Sequence, residues 1–188
     1  MQSQTLPPLP QALPTPTHTS TVTPLPDVPD LPDIASLVPH SATMLLLDRV
    51  VAADNDTLQA EVIINEQTLF AEAQGVGSWI GIEYMAQAVA AFAGLYAMRQ
   101  AHADPTSAAH TKPVKIGFLL GSRRYTATQG TFPLGSCLQV HVERLLQADN
   151  GLGSFDCFIA NDNERVATAT LTVFQPPDLA TFLKEGAV

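Results

Sequence analysis

Period-two alternation governs the second half of the chain. Leu138, Val140 and Val142 alternate with Gln139, His141 and Glu143, the pattern of a strand with one face buried. Phe155, Cys157 and Ile159 repeat it, and Ala167, Ala169, Leu171 and Val173 stand opposite Thr168, Thr170 and Thr172. Asp149-Asn150-Gly151 joins the first two of these strands, and Asn and Gly tolerate the positive φ that a tight hairpin needs. The expectation is an antiparallel meander. Nearer the start, residues 44–53 and 58–65 are β-branched and aliphatic runs on either side of Asp54-Asn55-Asp56, a turn-forming cluster, and read as a strand pair.

Between these regions the period changes. Residues 78–100 read as one long helix, with Ser78 as its N-cap and Gly75 and Gly77 as the punctuation before it. Apolar residues fall on nearly every side, and a helix apolar all round is normally buried. Ala86, Ala88, Ala90, Ala91, Ala93, Gly94 and Ala97 are small enough for a curved sheet to approach the helix backbone closely. The expected fold class is α+β, an antiparallel sheet wrapped around one central helix.

Composition divides the chain. Residues 1–34 hold nine of the fifteen prolines and no glycine, aromatic residue, Lys or Arg, too little apolar bulk to offset the entropy of ordering. They read as a disordered or extended arm, whether a tether, a ligand for a partner or neither. Residues 35–188 form the single expected domain, of ordinary size. A net charge of −9 with nine Lys and Arg argues against nucleic acid and against anionic membrane surfaces. No basic, apolar secretory signal opens the chain, and no later run reads as a membrane span, so a cytoplasmic location is expected. Cys137 and Cys157 lie far apart on strand-like segments and suggest neither a disulfide nor a metal motif. No phosphate loop or dinucleotide fingerprint occurs, and no bound cofactor or metal is expected.

The candidate chemistry sits on the helix. Glu83 is a carboxylate on an element expected to be buried, and it should find a partner or have its pKa raised above the usual value of about 4.3. A carboxyl raised in this way serves as a general acid near neutral pH. The alternative is a structural ion pair with Arg49 or Arg124, or a carboxylate that reaches solvent at the helix start. Gln87, one turn on, shares the face and can hydrogen-bond the carboxyl or a bound acyl group. Backbone N–H groups of Gly75, Val76, Gly77 and Ser78 at the helix start could stabilise an oxyanion, or these residues could be ordinary helix punctuation.

Val38-Pro39-His40-Ser41 with the run from Met44 through Leu45, Leu46, Leu47, Asp48 and Arg49 to Val50 resembles the opening of FabZ-type 3-hydroxyacyl-carrier-protein dehydratases. Glu83-Tyr84-Met85-Ala86-Gln87-Ala88 is similar to their helix, in which the carboxylate is catalytic. The segments 117–124 and 132–136 also match in order, and the likeness is strongest to the dehydratases of aryl polyene pathways. It implies the hot-dog fold and dehydration of a 3-hydroxyacyl thioester carried on the phosphopantetheine of an acyl carrier protein. One departure stands out. The family carries its catalytic histidine in a loop just before the helix, and residues 70–77 here contain none.

Dehydration needs a base for the C2 proton and an acid for the departing hydroxyl, so a second group or a relayed proton is required. His40 is the best candidate, as the one histidine of the domain that precedes the helix, the alternative being a structural histidine that bonds backbone at a strand entry. His18, His102, His110 and His141 read as solvated, and Glu72 as a surface carboxylate. Arg123 and Arg124, with Lys112 and Lys115 nearby, form a local basic patch that could steer an acidic carrier protein, or could serve solubility and salt bridges. The expected activity is 3-hydroxyacyl-carrier-protein dehydration, in an assembly that is a homodimer or a hetero-oligomer of hot-dog subunits. A thioesterase, or a catalytically weak subunit that binds acyl chains or supports an active partner, are the alternatives.

Overall fold

The computed structural model describes residues 31–103, 116–176 and 179–185. Most of the expected arm, residues 1–30, lies outside the described residues, as do His110, Lys112 and Lys115. The last four residues of that arm belong to the fold. Leu31 packs against the core and Ile34 is buried, opening a one-turn helix α1 (Ile34–Leu37) that Asp33 caps by accepting the Ala35 N–H at 2.9 Å. Two apolar side chains suffice to dock a segment whose average composition is poor in them.

Among the described residues nine strands form two antiparallel sheets. The larger contains β1 (Arg49–Ala53), β2 (Thr57–Ile63), β5 (Phe118–Ala127), β7 (Cys137–Gln147), β8 (Leu152–Asn161) and β9 (Glu164–Phe174), in the order β1-β2-β7-β8-β9-β5. The smaller is built from β3 (Ala71–Glu72), β4 (Gly75–Gly77) and β6 (Thr131–Pro133), with β4 in the middle. The alternation in sequence becomes alternation in burial: Leu138, Val140 and Val142 are buried while Gln139 and His141 face the other side. Gly151 at φ +92° turns β7 into β8. Asp162 and Asn163, both at positive φ, turn β8 into β9 as a two-residue hairpin requires.

The central helix α2 (Gly81–Ala103) packs against β2, β7 and β8 and, more lightly, against β5 and β9. Tyr84, Met85, Ala88, Val89, Ala91, Phe92 and Leu95 are its buried apolar residues. α1 also approaches it closely: a Cβ added at Gly94 would lie 2.1 Å from the Leu37 carbonyl oxygen. Contrary to the expectation that no later run reads as a membrane span, Ser78–Ala101, with mean hydropathy 1.2, is long and apolar enough to cross one by length and composition alone. In this fold more than half of that window is buried, and its apolar character serves the core.

Three local expectations are modified. The first strand is shorter than its apolar run, because residues 44–46 leave the sheet and turn toward α2. The helix starts with a separate 3-10 turn (Ser78–Ile80) whose N-cap is Gly77, so Ser78 is not the cap. His141 is half-buried, its ring stacked on Phe158 with centroids 4.3 Å apart, and Arg165 lies over the other aromatic at 4.0 Å.

Candidate active site

The face of α2 turned away from the sheet carries Ile82, Glu83, Ala86, Ala90 and Ala93, all half-buried. The segment from His40 to Leu46 lies along it, held by one side chain. Gln87 is fully buried, and its carboxamide makes three hydrogen bonds. Its Oε1 accepts the Leu46 N–H at 2.9 Å, and its Nε2 donates to the Met44 carbonyl at 2.8 Å and to Glu83 Oε1 at 2.9 Å. The departure of residues 44–46 from the strand therefore has a cause: their backbone groups bond the amide in place of a sheet ladder.

Four residues upstream, His40 Nε2 lies 3.6 Å from Glu83 Oε1. The two side chains keep 30% and 34% of their surface exposed, so full burial of Glu83, expected from an all-apolar helix, is not found. The carboxyl sits on the one stripe that the sheet does not cover. No arginine clamps it: Arg49 pairs with Glu61 at 2.5 Å, and Arg124 makes no ion pair among the described residues. A carboxylate, an imidazole and a fixed amide thus converge on one accessible patch, a set able to take a proton from carbon and return one to oxygen.

The other predicted residues lie elsewhere. Gly75 and Gly77 line a separate cleft of about 770 Å³ with Phe70, Glu72 and Trp79, whereas Val76 is in the core. Ser78 is committed to the fold. Its N–H donates to the Gly130 carbonyl at 2.9 Å, and its own carbonyl accepts the Tyr125 hydroxyl, so it is no oxyanion donor here. Burial pushes the Tyr125 phenol up to about 12, in keeping with a structural donor. Arg123 and Arg124 are exposed on β5, where the strand bulges and Arg124 takes φ +51°. Sequence reasoning missed the roles of Met44 and Leu46, which act through backbone groups and leave no mark in residue identity. Among the described residues no cluster of His, Cys, Asp or Glu could hold a metal ion.

An antiparallel sheet wrapped around a single core helix, with a carboxylate on the helix's open stripe, defines the chain as a hot-dog-fold protein. A sequence profile of the ApeP-like family, described as ApeP dehydratase, matches residues 32–184, and the chain belongs to that family. The dehydratase heterocomplex ApeI:P from Xenorhabdus doucetiae superposes with a TM-score of 0.72 at 24% identity, over 85% of this chain and 100% of the other. A sigma28-regulated virulence protein from Campylobacter jejuni shares the fold at a TM-score of 0.51 and 14% identity, over 77% and 96% of the two chains. No curated protein matches the chain at a significant level.

Proposed function

We propose that this chain dehydrates a 3-hydroxyacyl-carrier-protein thioester to the trans-2-enoyl thioester, in an aryl polyene or fatty-acid-like pathway of the cytoplasm. The carrying observation is the approach of His40 Nε2 to Glu83 Oε1, 3.6 Å, on a stripe of α2 open to a substrate. The substrate would arrive on the phosphopantetheine of an acyl carrier protein, with no cofactor bound to this chain. Arg123 and Arg124, exposed and without ion pairs among the described residues, suit the approach of an acidic carrier. Association with a second hot-dog subunit, the same or different, is supported by the heterocomplex of the similar ApeI:P and by the edge of β5, which pairs on one side alone among the described residues.

A second reading has its own support. Residues 70–77 lack the loop histidine, and a subunit that needs an active partner would look the same. Assay of the purified chain, alone and mixed with a second hot-dog subunit, for enoyl product from a 3-hydroxyacyl carrier protein separates the two. Turnover by the chain alone, reduced about 10²–10⁴-fold by Glu83→Gln, is the outcome expected of a positioned acid–base group. Product only in the mixture, unaffected by Glu83→Gln, would assign the chemistry to the partner. Release of free thiol in place of an enoyl product would make the chain a thioesterase.

A further inference from the structure

We propose that His40 works at this site as a fixed hydrogen-bond donor through Nε2–H and not as a base, so that Glu83 alone carries the proton in both directions. The proposal rests on the reading of the site as a dehydratase. Its starting point is the pair of imidazole nitrogens. Nδ1 is buried and has no hydrogen-bond partner among the described residues, while Nε2 faces Glu83 Oε1. A neutral imidazole carries one N–H, and the surroundings of the two nitrogens select which. A proton on Nδ1 would bury a donor with nothing to receive it and set the Nε2 lone pair against those of a carboxylate oxygen. A proton on Nε2 leaves Nδ1 a buried acceptor without a partner, but it removes the unreceived donor and turns the lone-pair repulsion at Glu83 into an N–H facing an oxygen.

Gln87 fixes the rest. Its amide direction is set by the backbone: reversed, it would turn NH₂ toward the Leu46 N–H and oxygen toward the Met44 carbonyl. Gln87 therefore donates to Glu83 Oε1, and that oxygen is an acceptor approached from two sides. Oε2 has no hydrogen-bond partner among the described residues, and any proton on Glu83 resides there. A base at His40 would have to act through Nε2, the nitrogen that already bears hydrogen, or through Nδ1, which nothing outside can reach.

The chemistry closes without a second base. Glu83 Oε2 takes the C2 proton. The electron pair left behind forms the C2=C3 bond as the C3–O bond breaks, and the departing hydroxyl recovers the proton from Oε2 and leaves as water. The carboxylate is regenerated, and the atoms removed from the acyl chain are one hydrogen and one hydroxyl. His40 and Gln87 are positioning residues in this scheme, anchoring Oε1 so that Oε2 faces the substrate. The missing loop histidine is then no defect.

Two measurements test this. His40→Gln offers an amide N–H at the reach of imidazole Nε2 but cannot act as a base, whereas His40→Leu offers neither. Expected is turnover within about tenfold of wild type for the first and a loss of about 10²-fold or more for the second. Equal inactivity of the two, with thermal unfolding showing both folded, would overturn the proposal. Two-bond ¹H–¹⁵N spectra of the full chain at pH 8 read the tautomer directly. Protonated Nε2 and bare Nδ1 are expected, and the opposite pattern would overturn the assignment whether or not the chain is active. A wild-type chain that makes no enoyl product yet shows protonated Nε2 would count against the proposed function and leave the tautomer standing.

Discussion

Gln87 and Glu83, one helical turn apart, are joined by a 2.9 Å hydrogen bond whose direction is dictated by a third segment of the chain. The same carboxamide holds the backbone of Met44 and Leu46, and His40 lies just upstream of that backbone. One buried side chain therefore sets both partners of the 3.6 Å approach between imidazole and carboxylate.

Removing that amide has two expected consequences. Gln87→Leu fills a similar volume but leaves the Met44 carbonyl and the Leu46 N–H without partners, at a cost of about 2–4 kcal/mol. Urea unfolding measures the loss. Steady-state assay of the folded fraction should show kcat reduced more than KM is raised, since the amide touches Glu83 and not the substrate. A stability change near zero would mean that the segment finds other bonds.

Gly94→Ala inverts the usual helix rule. In an exposed helix the change stabilises by about 1 kcal/mol. Here the new methyl would meet the Leu37 carbonyl oxygen at 2.1 Å, and forcing α1 off the helix costs about 1–3 kcal/mol. A lower urea midpoint is expected, and an unchanged or higher one would show that α1 shifts freely.

Between pH 5 and pH 8 the pH dependence of stability has one contributor with a shifted pKa, because the Asp54 and Glu61 carboxyls, held below their ordinary values, act at lower pH. Burial, assisted by the Arg165 charge, holds the His141 imidazole below its ordinary value of 6.5. The unfolded chain then binds the proton more readily than the folded one, so the contribution is full above about pH 6.5 and is lost as pH falls below it. His141→Gln should flatten the acid side of the stability curve. Urea midpoints at pH 5 and pH 8, compared between wild type and variant, would refute this if the two differences matched.

The two thiols should react in sequence. Cys137 is exposed, whereas Cys157 is buried and burial pushes its thiol well up, away from the reactive thiolate. With the native chain a thiol reagent should consume one equivalent quickly and the second only in denaturant. Rapid reaction of both would mean that β8 opens readily.

Much of this molecule was legible in the sequence because burial follows period. β7 alternates over Leu138 to Val142, β8 over Gly153 to Ile159 and β9 over Ala167 to Leu171, the stretches that carry the core positions. The central helix was legible from the opposite signal, the lack of a polar face. β5 was not, since ten residues at a sheet edge, mostly exposed on both faces, leave no alternation to read. The three-stranded sheet escaped because its members have two or three residues each. Within the candidate site, Glu83 and Gln87 could be paired from helical spacing. His40 could be singled out as the one domain histidine before the helix, but the backbone bonds that bring it to Glu83 lie more than forty positions away and leave no local spacing to read.

The outer margin of β5 bears on how the protein is handled in practice. Among the described residues β5 pairs on one side alone, with β9, and the other side, beside exposed Leu119 and Leu120, is a surface that invites a neighbouring extended segment. The bulge at Arg123 to Thr126 and the two guanidinium groups interrupt that surface partway along. Produced by itself the polypeptide should cling to its own kind as concentration rises, and co-expression with a matching subunit should keep it dispersed.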